Sequence, residues 1–211
     1  MVDKMLLSIP TRIETERLYL RCYEPGDGPW FYAMSRRNRA HLLRYESENV
    51  IMMVRDEPGA EATVSQLAAD WAARKHFFLG AFDRAAGDFV AQVYVGPVNW
   101  ALPEYEIGYI ADVDHQGRGF VTEAVRATLR FVFEPLQAHR VRLECSDTNT
   151  RSYRLAERCG LVREGHVREN RREPDGTFSG TLFYGMLRRE FEALYGPTGG
   201  YAARSPGDPS R

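Results

Sequence analysis

The stretch "HQGRGFVTEA", His115 to Ala124, sets two glycines around an arginine, Gly117-Arg118-Gly119, and runs straight into a helical pattern. Val121, Val125, Leu129 and Val132 fall on one helix face, and Pro135 ends the run. A helix start leaves about four amide donors unpaired and carries a partial positive charge. A phosphate satisfies both, and glycines let it reach the backbone without a Cβ in the way. Arg118 adds a charge contact. An ordinary tight turn would use the same two glycines. Two phosphate motifs are excluded: no Gly-x-x-x-x-Gly-Lys-Ser/Thr is present, and Gly-x-Gly-x-x-Gly fails at Thr122.

Outward from the loop, "YEIGYIADV" (105–113) reads as the strand that enters it. "HFFLGAF" (76–82) and "DFVAQVYVG" (88–96), joined at "DRAAGD", complete an antiparallel meander. Upstream, "TERLYLRCYE" (15–24) alternates Leu18, Leu20 and Cys22 with Arg17, Tyr19 and Arg21, which predicts a half-buried strand. "PGDGPW" breaks it. Helices are predicted over about 29–46 and over "PGAEATVSQLAADWAARK", where Val64, Leu67, Ala68 and Trp71 keep helical spacing. Downstream, "RVRLECS" points Val141, Leu143 and Cys145 inward as a strand. "NTRSYRLAERCG" is a short helix stopped by Gly160. "GHVRENRRE" and "TFSGTLFYGML" close on "PDG" as a hairpin. The order is strand, two helices, three strands, helix, strand, helix, two strands. That is one α/β (α+β) domain over 12–195, with a mixed, mostly antiparallel central sheet flanked by helices. Residues 196–211, rich in Gly, Pro and Ser, read as a flexible tail.

A chain of 211 residues with 44% apolar and 27% charged residues suits one globular domain. Its net charge of −1 lacks the basic surplus of a nucleic-acid binder. The apolar run in "MVDKMLLSIP" is too short for a signal peptide or a membrane span, so a cytoplasmic protein without membrane attachment is expected. Cys22, Cys145 and Cys159 are odd in number and far apart, and the five histidines show no zinc-like spacing. Neither a structural disulfide nor a metal site is expected.

With these pieces in place, the sequence resembles the GNAT superfamily of acetyl-CoA-dependent N-acetyltransferases. That family's phosphate motif, Gln/Arg-x-x-Gly-x-Gly/Ala, is matched by Gln116-Gly117-Arg118-Gly119-Phe120-Val121, with Val121 standing where Gly or Ala is usual. The resemblance is closest to the Rim-type (RimJ/RimL) group, which includes ribosomal-protein N-terminal acetyltransferases. It covers about 15–195 through "TERLYLR", "EIGYI", "QGRGFVTEA", "FVFEPLQAHRVRLECSDTNTRSYRLAERCGLVREG" and "DGTFSGTLFYGML".

The resemblance implies that Gln116, Gly117, Arg118, Gly119, Phe120 and Val121 cradle the CoA pyrophosphate. It implies that the strand through Tyr109, Ile110 and Ala111 splays from its neighbour and pairs with the pantetheine amides. Asn149 and Ser152 match an Asn-x-x-Ser at the next helix start. Asn149 would contact pantetheine or an ordered water, and Ser152 or the adjacent Tyr153 would serve the departing sulfur.

Acetyl transfer needs a neutral amine, a polarised thioester carbonyl and a stabilised thiolate. An α-amine, with a pKa near 8, is about one-tenth neutral at pH 7, and a lysine far less. Glu106, just before the loop and matching the acidic residue before "IGY" in Rim-type relatives, is the first choice of base, acting through water. Glu104 shares its face. A strand amide near Ile110 or Ala111 would polarise the carbonyl. Blander readings stand beside these: Glu106 as a solvated carboxylate, Ser152 as a helix-start hydrogen bond, Tyr153 as packing and His115 as a polar turn residue. "SRRNR" and "RENRRE" read as solvated faces, or as guides for an acidic acceptor or the CoA 3′-phosphate. The acceptor, a ribosomal or other protein N-terminus or a small amine, is set by about 25–60 and by the C-terminal hairpin. The rival reading is a catalytically silent CoA-binding module. Whether the chain acts alone or as a homodimer is open at this level.

Overall fold

A computed structural model of the chain describes residues 4–173 and 175–197. The alternation at the start folds as β2 (Leu18–Cys22), paired back on the three-residue β1 (Arg12–Glu14). Leu18 and Leu20 face one core while Tyr19 packs against another, so the strand is covered on both sides. Three helices follow: α1 (Gly28–Leu42), α2 (Val50–Met53) and α3 (Glu57–Ala72). Side-chain oxygens of Asn49 and Asp56 cap α2 and α3, accepting from Ile51 N (3.1 Å) and Gly59 N (2.7 Å). The meander is β3 (Phe77–Asp83), β4 (Phe89–Asn99) and β5 (Glu104–Ala111). Then come α4 (Phe120–Phe133), β6 (Arg140–Ser146), α5 (Thr150–Arg158), β7 (Val162–Arg172), β8 (Phe178–Leu187) and α6 (Arg188–Tyr195).

The strands make one sheet in the order β1-β2-β3-β4-β5-β6-β8-β7. Every neighbouring pair is antiparallel except β5 with β6. That parallel pairing holds for only three positions, Glu104↔Arg140, Tyr105↔Val141 and Glu106↔Arg142. β6 pairs with β8 along its whole length, so it follows β8 away from β5. Residues 107–111 of β5 therefore face a split in the middle of the sheet, with no ladder partner on the β6 side.

A core lies on each face. The larger packs α4, α5 and α6 against the sheet, with Val125, Leu129 and Val132 fully buried. At ~1.5–3 kcal/mol for each buried aliphatic or aromatic side chain, this stripe is what fixes α4 behind its loop. Phe131 carries the contact onward to Phe77 and Trp71, with centroids 5.8 and 5.6 Å away. The smaller core gathers Phe31 and Met34 of α1, Val64 and Leu67 of α3, and Ile110 of β5.

The single α/β domain and its mixed sheet are those read from the sequence, with three additions. β1, α2 and α6 span three, four and eight residues, too few turns to generate a periodic signal. Gly160 takes the left-handed φ of +82° expected of a helix stop. Burial pushes the Cys22, Cys145 and Cys159 thiols up to about 11, and all three are free. Among the described residues, no helix is long and apolar enough to cross a membrane. Most of the expected tail, residues 198–211, lies outside the described residues, as does Pro174 of the hairpin turn.

Candidate active site

A cavity of about 1100 Å³ opens where the sheet splits, between the end of α1, the loop before α4 and the start of α5. Gln116, Gly117, Gly119, Phe120 and Val121 line one end of it. Gly117 and Gly119 hold φ of +75° and +79°, the left-handed region that favours glycine. A Cβ on Gly117 would meet nothing within 4 Å, so conformation and an open approach, not packing, set the residue there. The first bond of α4 runs from Glu123 N to Gly119 O (3.1 Å), which leaves the amides of Phe120, Val121 and Thr122 ahead of the ladder. Val121 lies half-buried against the larger core, so its branched side chain has a seat while its amide stays at the helix end.

Two clamps hold this loop. On one flank Glu123 accepts from Thr15 Oγ1 (2.6 Å), Arg17 N (2.9 Å) and Arg17 Nε (2.6 Å). Burial alone would raise the Glu123 carboxyl, but these hydrogen bonds outweigh it and hold the group below the usual carboxylate range. Arg17 also donates to Arg118 O (3.0 Å) and lies over the Phe120 ring. On the other flank Asp112, fully buried, accepts from Arg37 Nη2 (2.6 Å), Asn38 Nδ2 (2.8 Å) and Asp114 N (3.1 Å). His115 Nδ1 lies 2.9 Å from the same carboxylate, which gives that turn residue a partner. Asn38 returns an acceptor to Val113 N (2.8 Å), tying α1 to the start of the loop. Gln116 bridges the cavity mouth, with His41 of α1 at 3.0 Å on one side and Arg151 of α5 donating on the other.

Along the split, Tyr109, Ile110 and Ala111 line the cavity opposite Asn149 and Ser152. Asn149 caps α5, accepting from Ser152 N (3.2 Å). Tyr109 Oη donates to Ser152 O (2.8 Å) and accepts from Ser152 Oγ (3.2 Å). Burial lifts the Tyr109 phenol well above its ordinary value, and the Ser152 hydrogen bond offsets only part of that. Serine and tyrosine thus form one hydroxyl pair, and the tyrosine half of it was assigned only a backbone role from the sequence.

Four sequence-named residues stand outside the cavity lining. The Arg118 side chain is exposed, and Tyr153 packs against the larger core. Glu106 occupies the last paired position before the split, its Oε2 accepting from Arg142 Nε (3.0 Å) and Nη2 (2.5 Å). Glu104 forms an ion pair with Arg140 (3.3 Å) without a hydrogen bond.

The one carboxylate among the described lining residues is Glu46, in the turn after α1. Burial pushes its carboxyl up to about 7, against the pull of an Asn49 hydrogen bond and of Arg171. Nothing in the local pattern of "RYESEN" marks it. Arg44, Arg151, Arg154 and Arg158 supply most of the charged lining. One end therefore suits phosphates, and the split offers an unpaired strand edge to an amide-bearing arm. The same cavity also holds the Tyr109–Ser152 hydroxyls and the Glu46 carboxylate. Among the described residues, no group of three His, Cys, Asp or Glu could hold a metal ion.

The family model for the acetyltransferase (GNAT) domain matches residues 17–162. The chain is 29% identical over 157 residues to the uncharacterized N-acetyltransferase YnaD of Bacillus subtilis, covering 74% of this chain and 86% of that one. It is 24% identical to the [ribosomal protein uS5]-alanine N-acetyltransferase of Escherichia coli, over 75% of this chain and 81% of that one. Its fold superposes on RimL, a ribosomal-protein α-N-acetyltransferase in complex with coenzyme A, with a TM-score of 0.73 at 17% identity. That match covers 85% and 97% of the two chains. The chain belongs to the GNAT acetyltransferase family, as an acetyl-CoA-dependent N-acyltransferase.

Proposed function

We propose that the enzyme acetylates the α-amine of a protein or peptide N-terminus by direct transfer in a ternary complex. The observation that carries this reading is the single cavity that runs from the α4 N-terminus, past the open edge of β5, to the Tyr109–Ser152 pair. In it, Gln116, Gly117, Gly119, Phe120 and Val121 would take the pyrophosphate, with Arg118 guiding from the rim. Residues 109–111 would pair with the pantetheine amides, and Asn149 would hold their far side. Bound there, acetyl-CoA supplies an activated acetyl thioester.

Ser152 would steady the departing sulfur, with Tyr109 behind it, a role that Tyr153, packed against the larger core, does not share. Ser152→Ala is expected to lower turnover about tenfold at saturating substrates. A loss confined to CoA affinity would reassign the residue to positioning. Glu106, already engaged by Arg142, would relay a proton only through water.

An α-amine is favoured over a polyamine because Arg44 lines the cavity and the charge of Arg171 acts on Glu46. A multiply charged cation would be repelled there. Relatives named for ribosomal-protein acetylation support the same acceptor, and such an acceptor would place the enzyme in the cytoplasm. A thiol-release assay with N-terminal peptides, lysine peptides with blocked termini, and spermidine tests it. Peptides with free α-amines should lead in kcat/KM. Spermidine ahead of every peptide would overturn the acceptor.

A further inference from the structure

We infer that Glu46 is the catalytic base, taking a proton directly from the acceptor's ammonium group. The inference rests on the acetyl-transfer reading above and adds a residue that neither the motif nor the resemblance marks. Of the described residues lining the cavity, Glu46 alone carries a carboxylate. Glu104 and Glu106 are held by Arg140 and Arg142, outside that lining.

The turn that carries Glu46 is fixed on both sides. Glu46 N donates to Leu42 O (2.8 Å), and Glu46 O accepts from Asn49 N (3.0 Å). Next to it, Tyr45 Oη donates to Thr148 O (3.3 Å), so the turn reaches across the cavity to the segment before α5. Asn49 from its own turn and Arg171 from β7 act on the Glu46 carboxylate, which in turn acts on Tyr109 of β5. Tyr109 is also the partner of Ser152. Glu46 thus lines the same cavity as the hydroxyl pair assigned to the sulfur, and its charge is felt at Tyr109. Its partly desolvated position keeps the carboxyl near neutrality, which matches a base to an α-amine better than an ordinary carboxylate would.

The ammonium N–H proton passes to a Glu46 carboxylate oxygen, and the freed lone pair forms the N–C bond to the acetyl carbon. The C–S bond breaks with its electron pair on sulfur. The second nitrogen proton ends on that sulfur through the hydroxyl pair. Glu46 then returns its proton to solvent.

Glu46→Gln in the full chain tests this, with the peptide panel and propylamine as acceptors. Turnover should fall about 100-fold at pH 7, with CoA affinity by calorimetry unchanged. The deficit should narrow toward pH 9 for peptide α-amines, which then arrive mostly neutral, and narrow less for propylamine, whose alkyl amine is still mostly protonated there. A second readout is independent of turnover. A carboxyl raised in the folded state stabilises fully below its unfolded pKa, and that contribution is lost as pH rises to the folded value near 7. The variant should therefore melt above wild type at pH 8, the difference shrinking toward pH 4.5.

Wild-type turnover in the variant across pH 6–9 would overturn the inference. So would a rise in acceptor KM alone, which would make Glu46 a charge anchor. Lost turnover with a lower melting temperature at pH 8 would make it a structural strut. A wild-type enzyme that binds CoA and turns over no amine would remove the acetyl-transfer reading itself. An enzyme that acetylates peptides equally well with either residue would remove this inference alone.

Discussion

Gly119→Val is expected to weaken CoA binding by at least about 100-fold while the protein still folds. The residue sits at φ +79° and caps α4. A side chain in that region costs about 1–2 kcal/mol, and a β-branched one lies toward the upper end. Packing adds little in the free protein, since the nearest atom to an added Cβ is Arg17 Nη2 at 3.5 Å, an ordinary contact. For a domain of this size, that strain lowers the melting temperature by only about 2–4 °C per kcal/mol. Binding should suffer more, because in the proposed site the phosphate would approach this backbone. Losing one or two charge-assisted amide contacts at about 1.5–3 kcal/mol each accounts for the expected factor. Calorimetry with CoA on a folded variant decides. Unchanged affinity would reduce the loop to a turn.

Asp112→Ala should lower stability by about 1–3 kcal/mol, the cost of leaving buried donors without their acceptor. The carboxylate is fully buried, and its loss takes an acceptor from the buried Asn38 amide, from His115 and from the Asp114 amide, whereas Arg37, 41% exposed, keeps water and Asp114. Burial alone would raise the Asp112 carboxyl. Hydrogen bonds from Asn38, His115 and Arg37 reverse that and hold it below its ordinary value. A depressed carboxyl contributes stability that is present above the unfolded pKa of about 3.9 and is lost as pH falls through the folded value. Asp112→Asn should therefore be destabilised at pH 7, with the gap to wild type closing in strong acid. Urea titrations at both ends of that range measure it, and a gap independent of pH would show that shape, not charge, matters there.

These two residues mark how far sequence reasoning reached. Gly119 was legible because its signal is local: a glycine pair followed within one turn by a helical stripe. The meander and the α4 face were legible for the same reason. The clamps were not. Thr15 and Arg17 appeared in the resemblance only as part of "TERLYLR", and their partner Glu123 lies 108 and 106 positions away. Asp112 meets Arg37 and Asn38 across 75 and 74 positions. Pairs at such separations leave no periodicity to read. Glu46 was missed because an acidic residue in a polar turn has no pattern at all, and only the fold shows that it faces a cavity. Glu106 was visible by motif, but Arg142, which occupies its carboxylate, came into view only once β5 and β6 were paired.

The most direct test of the account is a stoichiometry. Wild-type protein is incubated with acetyl-CoA and a peptide bearing one free α-amine, with thiol release and peptide mass followed together. The account predicts one free CoA thiol for each acetyl group gained, located on the α-amine and absent when that amine is blocked. Tight CoA binding accompanied by no thiol release, or by thiol release with the peptide unmodified, would contradict it.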